Sequence, residues 1–129
     1  MQETLIRRVE DFTVTGSGEA AAWQKTAWLP LTHVSQNKTP YRSQVKMLYS
    51  ATGIYFLFDC EDRKLANTAL KNYDDLWNED VVELFLWPDE KRILYFEYEL
   101  SPLDKELPLL IPNYEGRLMG WRPWHYEGE

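Results

Sequence analysis

The chain has 129 residues, 44% of them hydrophobic and 27% charged, with a formal net charge of -7. That length suits one domain around one core, and a chain this acidic repels nucleic-acid phosphates and anionic membrane surfaces alike. The single cysteine, Cys60, excludes an intrachain disulfide, and two histidines leave no soft-metal cluster.

No apolar run reaches the ~18 residues of a membrane span, and the opening "MQETLIRRVEDF" lacks the apolar core of a secretory signal. Next, "FTVTGSGEAAAWQKTAWLPL" predicts a strand end, a Gly-Ser-Gly break, a brief helical turn around Trp23 and a strand near Trp28. Ser43 to Ser50 alternates, with Val45, Met47 and Tyr49 on one face. A short turn through Gly53 leads into "IYFLFDCED", apolar on both faces until Asp59, so the two segments predict a hairpin with a central strand. Within it Cys60 reads as a small buried hydrophobe. Arg63 to Lys71 predicts a turn or two of helix capped by Asp62. Val81 to Trp87 and Ile93 to Leu100 predict a second strand pair, joined by a charged turn that Pro88 opens. Beyond Pro102, proline and glycine interrupt every pattern. The fold class is all-β: an antiparallel β-sandwich of immunoglobulin-like or jelly-roll-like form, with little helix.

Side chains alternate along a strand. Val82, Leu84 and Leu86 with Leu94, Phe96, Tyr98 and Leu100 therefore form a core face. The opposite face gathers Glu83, Phe85, Trp87, Tyr95, Glu97 and Glu99. Aromatic plates beside carboxylate acceptors suit a polyhydroxylated ring, whose C–H face packs on aromatics while its hydroxyls donate to carboxylates. Either this face is an open sugar platform, or another layer covers Phe85, Trp87 and Tyr95 and leaves the glutamates at the rim. Trp77 lies in the loop before the strand, where binding residues tend to sit, and with Glu83 it favours the platform.

Taken in order, Trp23 after the glycine break, "KMLYSATGIYFLFDCED", "LWNEDVVELFLWPD" and "YFEYELSP" resemble the family 9 carbohydrate-binding modules and their relatives with a DOMON-like β-sandwich. The resemblance runs from about Phe12 to Tyr126. It implies non-catalytic binding of an oligo- or polysaccharide in an extracellular or periplasmic setting. It makes Trp77 one wall of an aromatic clamp and Glu83 an acceptor for sugar hydroxyls, with Asp80 fixing the loop. The family places basic and amide groups where Glu97 and Glu99 stand here. Its opposite aromatic wall comes from strands beyond this point, a place that Trp121 or Trp124 would fill. The resemblance thus implies a domain of residues 1–129 that lacks its last strands, with exposed edges open to self-association.

Several family members hold structural calcium, for which Asp59, Asp62, Asp74, Asp75 and Asp80 are candidates; no EF-hand spacing is present. No other cofactor is expected. Two further readings stay open. One is a protein-interaction module that uses the exposed aromatics. The other is a glycosidase or its accessory domain, with Glu97 and Glu99 ~6.5–7 Å apart by strand rise. His33 and His125 serve no nucleophile motif.

Overall fold

A computed structural model describes residues 3–33 and 41–126. They divide into two compact units, Met1–Arg63 and Lys64–Glu129. Regular structure is almost wholly strand, in two sheets, with two short 3-10 turns. The expected all-β class is what forms.

In the first unit the hairpin of β3 (Ser43–Tyr49) and β4 (Ile54–Cys60) is in full register, Ser43 opposite Cys60 and Tyr49 opposite Ile54. On the other edge of β3 lie two short strands. β1 (Arg7–Arg8) runs parallel to it and β2 (Leu29–Pro30) antiparallel. As the inner strand, β3 buries Val45 on one face and Leu48 on the other. Leu48 joins Val9, Trp23 and Leu57 in a core edged by Phe12, Trp28 and Tyr55. The expected turn around Trp23 is the 3-10 segment Ala21–Lys25, tied to β3 by Lys46 Nζ donating to the Trp23 carbonyl at 2.8 Å. The preceding Gly-Ser-Gly break is needed at Gly18: its φ is +74°, and a Cβ there would lie 2.9 Å from Leu57 Cδ2. Cys60 corrects the sequence reading. It ends β4 opposite Ser43, beyond the cover of that core, and is exposed.

In the second unit β5 (Val82–Leu86), β6 (Leu94–Leu100) and β7 (Glu106–Tyr114) form an antiparallel sheet. Two dipeptide strands, β8 (Arg117–Leu118) and β9 (Arg122–Pro123), share the outer edge of β7. β7 carries Pro108 and Pro112 yet remains a nine-residue strand. Both prolines turn their carbonyls outward, accepting from Trp124 N–H and Met119 N–H at 2.9 Å. In an antiparallel strand N and C=O of one residue face the same way, so the missing donors fall on the patchily paired edge.

The helix expected over Arg63–Lys71 does not form; the stretch is irregular. Carboxylates from the following turn take its backbone N–H groups, which a helix would have needed.

Candidate functional site

Register fixes which side chains share a face. Glu83 lies opposite Glu99, Phe85 opposite Glu97, and Tyr95, Glu97 and Glu99 opposite Ile111, Leu109 and Leu107. The grouping expected from alternation is therefore present, but its burial is reversed. The core of this unit is Leu76, Leu107, Leu109 and Ile111, on the carboxylate face, with Tyr73, Val81 and Tyr95 packed against it. Val82, Leu84, Leu86, Phe96, Tyr98 and Leu100, expected as the core face, are only half-buried, and Leu94 is exposed. The cause is the 3-10 turn Leu76–Asn78, which drives Leu76 into the carboxylate face.

That turn is held by the acids around it. Asp80 Oδ2 accepts the Ala66 N–H at 2.5 Å, and Glu79 accepts both the backbone N–H and the hydroxyl of Thr68. Asp74 Oδ2 accepts the N–H groups of Leu70 and Lys71 at 3.2 and 3.1 Å. These bonds hold the Glu79 carboxyl below its ordinary range, the Thr68 hydroxyl contributing most. Asp59 is engaged elsewhere, by Arg42 Nη1 at 2.9 Å and Gln44 Nε2 at 2.8 Å. Among the described residues, Asp59, Asp62, Asp74, Asp75 and Asp80 form no group close enough to share an ion. The group that does is Glu83, Glu97 and Glu99, one oxygen of each lying within 4.8 Å of the others.

Glu99 is only 1% exposed, so it lies beneath the surface. The Leu76–Asn78 turn packs against β6, the strand that carries Glu99. The Glu99 pKa is pushed up to about 7, first by burial and then by the charges of Glu83 and Glu97. Glu97 is also raised, by burial and then by Glu83. Two carboxylates this close fall short of the ~6.5–9.5 Å spacing of an inverting glycosidase pair.

Where Leu76 turns inward, Trp77 turns outward and is 39% exposed. Its ring meets that of Trp121 edge to face, centroids 5.3 Å apart at 67°, and Trp121 is 52% exposed. Rings in contact leave no slot for a pyranose, which needs roughly 7–8 Å between two plates at ordinary carbon contact distances. They form one continuous aromatic surface instead. Trp124 lies apart from them, stacked on Phe96 of the opposite sheet face at 5.1 Å and on Tyr126 at 5.7 Å. Phe85 is exposed, its ring 6.1 Å from that of Tyr95. Trp87 is exposed too, but its Nε1–H donates to the Arg92 carbonyl at 2.9 Å and closes the β5–β6 turn. His125 stacks on Tyr73 at 4.3 Å, and His33 is exposed.

An outward tryptophan beside sheet carboxylates is the arrangement expected of a glycan-binding face, and the family comparison agrees with it. The model described as carbohydrate family 9 binding domain-like matches residues 14–103, more than half the chain. The chain belongs to this carbohydrate-binding family. Neither the curated proteins nor the solved structures include a match to it. The family 9-like segment runs through parts of both compact units and contains Trp77, Glu83 and the β6 carboxylates. It ends before Trp121. The partner that meets Trp77 thus comes from the segment where no sequence motif could distinguish Trp121 from Trp124.

Proposed function

We propose that this carbohydrate-binding domain holds its ligand on the Lys64–Glu129 unit. A sugar ring stacks on the outer surface made by Trp77 and Trp121, and hydroxyls at its edge donate to Glu83 and Glu97. The observation that carries this reading is the exposed Trp77–Trp121 contact on a turn whose Leu76 packs into the same sheet face as the carboxylate cluster. Glu99, almost wholly buried, lies behind that surface. Phe85 and Tyr95 extend the apolar area, whereas Trp87 serves its own turn.

Intrinsic tryptophan fluorescence, titrated with a panel of soluble mono- and oligosaccharides, tests it. The wild type should show a saturable shift, and Trp77→Ala should weaken binding at least tenfold, about 1.4 kcal/mol, with an unchanged circular dichroism spectrum. Trp124→Ala should bind as the wild type does. Unaltered binding by folded Trp77→Ala overturns the placement. A folded wild type that ignores every saccharide overturns the sugar reading and leaves Leu118, Met119 and Trp121, all exposed, as surface for a protein partner.

A further inference from the structure

We propose that Glu83, Glu97 and Glu99 form a calcium site recessed in the carboxylate face of the second sheet. Acidic groups on protein surfaces are ordinarily solvated and need no ion. Two observations separate this cluster from that case. Glu99 is almost wholly buried, and its Oε2 lies inside the protein without a hydrogen-bond partner. A buried carboxylate oxygen with no protein donor is one that a cation can satisfy. Moreover, among the described residues no lysine or arginine forms an ion pair with any of the three glutamates.

The geometry favours calcium in particular. Oxygens up to 4.8 Å apart can flank an ion at ~2.4 Å, within the calcium–oxygen range of ~2.3–2.6 Å. Magnesium needs ~2.0–2.1 Å and a near-regular octahedron. Three carboxylates offer up to six oxygens, and Glu83 and Glu97 are only half-buried, so water can complete the shell. The β5–β6 pairing holds Glu83 beside Glu99, and Glu97 follows on the same strand face, so the ligands stand on sheet rather than on loop. The test is made at pH 8, where carboxylates are ordinarily ionised.

This site shares Glu83 and Glu97 with the proposed saccharide face, but its test uses no saccharide, so either reading can fail without the other. The full chain, freed of metal by chelation and dialysis, is titrated with Ca2+ by calorimetry. In parallel, Tb3+ is titrated with excitation at the tryptophan band, because Trp77 follows Leu76, which packs on the same sheet face as the cluster. The wild type should take up one Ca2+ saturably, raise its melting temperature with added Ca2+, and sensitise Tb3+ emission. The double variant Glu83→Gln/Glu97→Gln should bind at least tenfold more weakly and lose the emission, while circular dichroism shows it folded. Asp75→Asn, in the exposed acidic loop, should behave as the wild type. A folded wild type with no saturable uptake, or full uptake by the double variant, overturns the proposal.

Discussion

Glu99 sits beneath the Leu76–Asn78 turn with a folded-state pKa of about 7, against 4.5 for an unstructured glutamate. A raised carboxyl contributes stability that is complete below the unfolded value and is lost as pH rises through the folded one. The charged groups that face it are Glu83 and Glu97, both acidic. Metal-free protein should therefore melt at lower temperature as pH rises from about 4.5 to 8, a loss on the order of 2–3 kcal/mol. Glu99→Gln, uncharged throughout, should lose most of that slope. Asp59 and Glu79 are held below their ordinary values, so their contributions disappear only under more acidic conditions and leave this window clear. A wild-type melting temperature that climbed over the interval would contradict the assignment. Gly18 gives a second residue-scale expectation. Gly18→Ala must combine a positive φ with a Cβ pressed on Leu57, costing about 1–3 kcal/mol in denaturant unfolding. Gly53→Ala, where the Cβ meets open space, should stay near neutral.

Among the elements, the segment 64–80 owes its shape to side chains of its own later half. Asp80→Ala combined with Glu79→Ala frees the amides of Ala66 and Thr68, so their hydrogen exchange should accelerate. Amides in the β5–β6 ladder should keep their protection, and equal acceleration in both would mean that the acids support the sheet as a whole. This segment also marks where the sequence was legible and where it was not. The two central hairpins could be read because alternation in Ser43–Tyr49, Ile54–Cys60, Val82–Leu86 and Leu94–Leu100 is strong and their turns are short. The same alternation placed Glu83, Glu97 and Glu99 together. It could not reveal that Leu76, from outside the strands, would fill that face and bury Glu99, because a single turn's docking leaves no periodic trace. Arg63–Lys71 resembled a helix because Leu65, Ala69 and Leu70 fall on one side. The competing acceptors Asp74, Glu79 and Asp80 belong to a neighbouring segment that local propensity does not consult. β7 was hidden by Pro108 and Pro112, which ordinarily argue against a strand.

For the whole molecule, a net charge of -7 separates the two proposed ligands. Capture of a neutral saccharide should barely respond to ionic strength. Calcium affinity should fall by severalfold between 20 and 200 mM salt, as screening weakens the acidic field; equal salt responses would argue against a charged calcium site. Each compact unit also has its own buried leucines, Leu48 in one and Leu107 in the other. Leu48→Ala and Leu107→Ala should each destabilise by about 2–5 kcal/mol in chemical denaturation. The prolines of β7 bear on a different hazard. Should the dipeptide strands β8 and β9 peel away, an incoming strand would meet an edge in which two of nine positions have no N–H to offer. Those gaps lie four residues apart, so no continuous ladder can be templated along it. By this geometry β7 resists recruitment into fibrils even when its cover is gone.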